Sequence, residues 1–232
     1  MRNYILISIA TTLLFFTSCS KNGNPIVDNI NNTEIDEPTE ELSVLFTKIK
    51  TAIFALPTEK LDTEEISGLM KMREEEKLAR DVYEYFFDKY KMNIFSNISE
   101  SEKAHMFAVK VMIDKYKLED PVDNSPPGKF KSTELQEIYN LLITKGNKSL
   151  TEALIVGTII EDLDIADLDE LLESTSNKDL KYVYENLNLG SRNHLRAFYP
   201  QVIKNDGEYS PQYISQIEFD RILSSSKEFG NW

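Results

Sequence analysis

From Leu42 to Phe198 the apolar residues of this chain recur at steps of three and four, the spacing of one face of an α-helix. Leu42, Leu45, Phe46, Ile49 and Ile53 predict an accessory helix over 41–56, ending before Pro57. Four longer seams follow. The first, over 63–91, opens on Asp62 and Glu65 in capping-box spacing and runs Leu69, Met72, Glu76, Ala79, Tyr83, Phe86, Tyr90. The second, over 99–117, opens on Ser99 and Glu102 and runs Ile98, Glu102, His105, Val109, Met112, Tyr116. Beyond the loop "DPVDNSPPGKF" and a shorter amphipathic helix over 132–145, a third seam capped by Ser149 covers 150–173 with Leu150, Leu154, Gly157, Glu161, Asp164, Leu168, Leu171. The fourth, over 178–203, carries Tyr184, Leu187, Ser191, His194 and Phe198. A short helix capped around Ser215 and Glu218 is expected in the tail, packed on the outside of the others. With eight glycines and eight prolines, most prolines at segment edges, the pattern predicts an all-α protein.

Each long seam is broken near its middle by an acid, a histidine or both. Stacked side by side, the four helices would bring Glu76, Glu102, His105, Glu161, Asp164 and His194 to one level of a shared interior. A buried carboxylate without a partner costs several kcal/mol, and no lysine or arginine lies on these seams. Proton sharing could neutralise some of the acids. Two divalent metal ions would balance four carboxylates outright, with both imidazoles completing the ligand set. Glu102 and His105, at i and i+3, lie on one helix face and can reach the same ion.

Charge and the N-terminus change the picture further. The 26 basic residues against 39 acidic ones give a net charge of −13, which disfavours nucleic acid as a partner. The opening "MRNYILISIATTLLFFTSCS" has a basic start, an apolar stretch too short to span a bilayer of about 30 Å, and small residues before the sole cysteine, so it reads as an export signal. "FTSC" resembles a bacterial lipobox, which implies that Cys19 is lipidated and tethers the protein to a membrane, facing the periplasm or the cell surface. A plain secretory signal with an incidental cysteine is the alternative. Residues 1–18 are then the signal, 19–40 a polar tether, 41–203 the helical bundle and 204–232 the tail. With Cys19 used as the anchor, disulfides, cysteine-ligated zinc and iron–sulfur clusters are excluded.

The stretches "MREEEKLARDVYE", "SEKAHM", "IIEDLDIADL" and "GSRNHLRAF" resemble the ferritin-like superfamily in its rubrerythrin-like branch, and more closely a family of ferritin-like domains of unknown function. The resemblance spans roughly residues 64–203 and implies a ferritin-like four-helix bundle with accessory N- and C-terminal helices. It also implies a di-metal centre, iron with manganese or zinc as alternatives. Within "EEE", Glu76 matches the family spacing to Ala79 and Tyr83. Glu75 is the alternative ligand, or pairs with Arg73 or Arg80. Glu102 with His105 matches the second-helix motif, Glu161 the third-helix glutamate, and Asp164 the second carboxylate three residues on. His194 fits, but Ser191 stands where the superfamily has glutamate, and Glu185 is on the opposite face.

Around the centre, Tyr83 either hydrogen-bonds a ligand or is an aromatic core residue. Arg192, Asn193 and Arg196 either orient the ligands or form surface pairs, and Asp162, Asp167 and Asp169 are assigned to a solvated face. Three functions remain open: oxygen or peroxide redox chemistry, metal binding without turnover, and a structural bundle with a degenerate site. Lacking a rubredoxin-like cysteine module, the redox reading requires an external electron donor; a homodimer is compatible with all three.

Overall fold

The computed structural model describes residues 39–230 and Trp232; the signal, Cys19 and nearly all of the tether lie outside the described residues. Among the described residues there are seven α-helices and no strand. The helix α1 (Glu40–Ala55) starts at Thr39, whose hydroxyl accepts from the Leu42 amide. Asp62 and Glu65 close a reciprocal capping box on α2 (Thr63–Tyr90), which stops where Lys91 takes a left-handed φ of 52°.

The next helix, α3 (Asn93–Lys115), begins six residues before the position the sequence suggested. Its N-cap, Met92, makes no side-chain cap, so the start carries no polar signal. Ser99 lies inside the helix, bonded to the Ser96 carbonyl, while Phe95 and Ile98 extend the apolar seam. The remaining helices, α4 (Thr133–Gly146), α5 (Leu150–Ser174), α6 (Lys178–Lys204) and α7 (Gln216–Ser224), agree closely with their predicted bounds. Ser132, Ser149 and Ser215 cap α4, α5 and α7.

Around the square formed by the four long helices the order is α2, α3, α6, α5. Two hairpins, α2–α3 and α5–α6, pack so that α2 runs antiparallel to α5, with Gly68 against Leu171 at one end and Gly146 against Phe86 at the other. Thus α3 and α5 are parallel and diagonal, and the chain crosses from one to the other through the 116–132 loop and α4. Helix α2 grips this crossover. Arg73 holds Asp120 with two hydrogen bonds of 3.1 and 3.0 Å, and Glu74 accepts from the amides of Lys131 and Ser132. Lys77, wholly buried, reaches Asp81 and the Pro126 carbonyl.

The apolar core comes in two halves. Leu69, Met72, Val109, Met112, Leu168 and Leu187 belong to one, while Ala79, Phe86, Phe95, Leu154 and Phe198 belong to the other. Between them lies the level of Glu76, Glu102, Glu161 and His194.

Two surface assignments are corrected. Asp162 is fully buried, because its carboxylate accepts from the Tyr209 hydroxyl and from the amides of Gln212, Tyr213 and Ile214, fixing the segment that leads into α7. Asp167 is likewise buried, and only Asp169 of the three is exposed. Phe219 and Ile222 of α7 then pack on Ile165 and Leu195. Asp162→Ala strips one charged acceptor from four donors and should cost about 3 kcal/mol in chemical denaturation. A loss below 0.5 kcal/mol, the range of ordinary surface substitutions, would deny Asp162 this role.

Candidate metal centre

At the middle of the bundle α2 contributes Glu76, α3 contributes Glu102 and His105, α5 contributes Glu161 and Asp164, and α6 contributes His194. All six are at least nine-tenths buried. Two triads form, Glu76–Glu102–His105 and Glu102–Glu161–His194, each with its ligating atoms within 4.8 Å of one another. Glu102 belongs to both. Its Oε2 is 2.8 Å from His105 Nδ1 and its Oε1 is 3.0 Å from His194 Nδ1. His105 Nδ1 also lies 3.2 Å from Glu76 Oε2, and His194 Nδ1 lies 3.4 Å from Glu161 Oε2.

Of these contacts, His105 Nδ1 with Glu76 Oε2 is a hydrogen bond, and several neighbouring atoms have none. Glu76 Oε1, Glu102 Oε1, Glu161 Oε2 and His194 Nδ1 are buried without any hydrogen-bond partner. Such atoms are rare in folded proteins and require an explanation. Lone pairs of hard oxygen and imidazole nitrogen, converging from four helices with two orphaned oxygens and one orphaned nitrogen in a single triad, fit a pair of divalent ions.

The electrostatics reflect the crowding. Burial would raise the Glu102 carboxyl, but His194 and His105 outweigh it and hold the group below its ordinary range. Burial would lower both imidazoles, yet Glu76 and Glu102 push His105 well up, and Glu102 and Glu161 bring His194 to about 10. Burial raises Glu76 to about 7 against the opposing charge of His105. It also raises Glu161 and, aided by the charges of Glu76, Glu161, Glu75 and Glu102, lifts Asp164 well above its usual value. The cluster therefore retains protons, which cations would displace on binding.

Asp164 stands beside the triads rather than within one. Tyr83 is more than an aromatic core residue, since its hydroxyl donates to Glu161 Oε1 at 2.5 Å. Ser191 is buried with its hydroxyl donated to the Leu187 carbonyl, so it brings no carboxylate where the superfamily has one. The ligand-orienting role considered for Arg192 and Asn193 does not hold. Arg192, Asn193 and Arg196 all bind Glu228 of the C-terminal segment, which passes along the outer side of α6. Glu75 pairs with Lys71 instead of Arg73 or Arg80, at 3.3 Å, and adjoins Asp167. Burial first, then Asp167, lifts Glu75 to about 8 against the pull of Lys71.

Two contributors escaped the sequence reading. Ser101 Oγ lies 2.9 Å from His194 Nε2 and orients that ring, and nothing in the sequence flags it. Gly190 did leave a signal, as a glycine inside a helix. A Cβ there would stand 2.4 Å from His105 Cε1 and Nε2, so α6 can pass the imidazole only at a residue without a side chain.

A model of an uncharacterized protein domain, DUF2202, matches residues 65–226, from the first turn of α2 through α7. The chain belongs to the DUF2202 family. The uncharacterized protein MJ0754 of Methanocaldococcus jannaschii is 51% identical over 178 residues, covering 77% of this chain and 96% of that protein. The crystal structure of hypothetical protein MJ0754 from Methanococcus jannaschii DSM 2661 superposes with a TM-score of 0.73 over 75% of this chain and 99% of that one. The DUF2202 match thus includes both triads, the crossover and the tail helix.

Gly190→Ala tests the packing at His105. Helix propensity alone favours alanine by about 1 kcal/mol. Displacing a ring held between Glu76 and Glu102 should reverse the sign and give a net loss of about 1–3 kcal/mol in denaturant unfolding. A stabilised variant would mean that His105 does not sit against α6.

Proposed function

We propose that this protein holds a di-metal centre in a ferritin-like bundle, with Glu102 belonging to both ligand groups, and uses it for redox chemistry on dioxygen or peroxide. The observation that carries the reading is the double engagement of Glu102, one carboxylate facing an imidazole on either side amid buried atoms without hydrogen bonds. A single long crossover between parallel helices, the connectivity of ferritin-like bundles, supports the superfamily assignment. The ligand types suit iron, and also manganese or zinc. When bound, a ferrous pair supplies two electrons for the reduction of dioxygen or peroxide.

The chain's own groups divide the remaining work. Glu76 and His105 hold one position, Glu161 and His194 the other, and Asp164 stands ready beside both. Ser101 beside Nε2 would hold the His194 ring so that Nδ1, once deprotonated, offers its lone pair for a ligand bond. Tyr83 occupies Glu161 Oε1 and leaves Oε2 for the centre. The two apolar clusters exclude water along the bundle axis. The only cysteine is Cys19, so the electrons come from a separate protein or small reductant.

Localisation rests on the sequence. Among the described residues no helix is long and apolar enough to cross a membrane, and the lipobox-like "FTSC" supports a protein exported and held at a membrane through Cys19. Cys19→Ala should move the protein from the membrane fraction to the soluble fraction; unchanged membrane association would remove the anchor from the proposal.

Ser191 favours a second reading, metal held without turnover. With serine there instead of a carboxylate, α6 brings only His194, so each position has only three protein residues around it. Metal-free full-length chain in detergent, loaded anaerobically with Fe²⁺, separates the two. About two irons per chain that oxidise with peroxide and recycle with reductant support the redox centre. Firmly held metal that does not cycle supports the second reading, and no bound metal rejects both. Glu102→Ala should empty both positions, whereas Glu76→Ala or Glu161→Ala should lower the content to about one, with the far-UV helical signal kept.

A further inference from the structure

We propose that Glu75 and Asp167 form a transit site through which a divalent cation passes from solvent to the centre, and that Lys71 holds this site shut with its own ammonium group. The inference rests on the di-metal reading above. Glu161, Asp164 and Asp167 follow one another on α5 at three-residue steps, each turning about 60° from the bundle interior toward the flank of the helix. Helix α2 faces this staircase with Glu76 at the inner end and Glu75 farther out. Charge–charge coupling runs the whole way: Asp164 feels Glu76, Glu161 and Glu75, and Glu75 feels Asp167. Carboxylates thus succeed one another on the facing flanks of α2 and α5 from the ligands toward Lys71, while the axis of the bundle is filled by apolar residues on both sides.

The outer end of the track is unlike the other buried ion pairs of the molecule. Arg73 meets Asp120 with two aligned hydrogen bonds, and Asp81 is met by both Lys77 and Arg80. At the transit site two buried acids share one ammonium, with Lys71 Nζ 2.8 Å from Asp167 Oδ2 and 3.3 Å from Glu75 Oε1. One ammonium therefore serves two carboxyl groups. Glu75 Oε2 and Asp167 Oδ2 are buried with no aligned hydrogen bond, although both residues are more than nine-tenths buried. Two buried carboxyl groups, with Glu75 Oε2 lacking a donor and Asp167 Oδ2 met only by a cation on a flexible stem, are the arrangement in which a divalent ion can replace an ammonium. Lys71 is the member that can leave when a cation takes its place, since its side chain is 37% exposed on a flexible four-carbon stem.

The test is the rate of Co²⁺ uptake by the metal-free full-length chain, followed by visible absorbance in a stopped-flow mixer, with the final cobalt content measured separately. Lys71→Gln should load at least five-fold faster than the native chain. The Glu75→Gln, Asp167→Asn double variant should load at least ten-fold slower, and all three should reach the same final content. Equal rates in the three proteins overturn the transit site, as does slower loading in Lys71→Gln. A double variant that loads less cobalt at equilibrium also overturns it, by making these acids ligands of the centre. If the native chain binds no cobalt, the di-metal reading itself falls; if it binds cobalt at a rate indifferent to these residues, that reading stands and only the transit site is lost.

Discussion

Placing the Glu102 carboxylate between two imidazoles in a helical interior sets the conditions for everything packed around it. An isolated buried carboxylate would cost several kcal/mol, and here three others lie within one level of the bundle. The imidazoles offset part of that cost by drawing proton charge toward Glu102, which is why His105 and His194 are pushed up while Glu102 is pushed down. The helices must then approach closely enough for rings and carboxylates to meet. Gly190 permits this on α6, and Tyr83 and Ser101 anchor the outer atoms of Glu161 and His194. The division of the apolar core into two clusters follows from the same requirement, since no hydrocarbon can occupy the polar level.

The density of charge in "MREEEKLARD" follows from the position of α2 at a junction of three partners. Arg73, Glu74 and Lys77 face the crossover, Glu75 faces α5 through Asp167, and Glu76 faces the centre. One helix thereby uses successive residues on successive flanks, and each charge meets a different partner. The crossover needs such ties because it joins diagonal, parallel helices and its loop residues pack little apolar surface of their own.

Much of this was legible in the sequence, for identifiable reasons. Helices begun by Asp62, Ser132, Ser149 and Ser215 announced themselves because a side chain does the capping. The start of α3 did not, because Met92 caps nothing. The ligand candidates Glu76, Glu102, His105, Glu161 and His194 stood out as polar breaks in apolar seams, and the fold does bring them together. Asp162 and Asp167 were misread because α5 is buried on nearly all sides, by α4 and the chain after α6 as well as by the bundle, so one apolar seam no longer marks its inside. Arg192 and Asn193 stayed open between ligand orientation and surface pairing because their partner, Glu228, lies more than thirty residues away with no local signal.

The two triads differ in the chain distance that each must close. Glu76, Glu102 and His105 sit within one helical hairpin, whereas the second triad joins that hairpin to Glu161 and His194 of the other. A nascent chain grown only as far as Lys115 already carries every residue of the first triad. The second comes into being only when the two hairpins meet in the correct register. One half of the centre thus lies within a single helical hairpin, and the other exists only where the two hairpins meet.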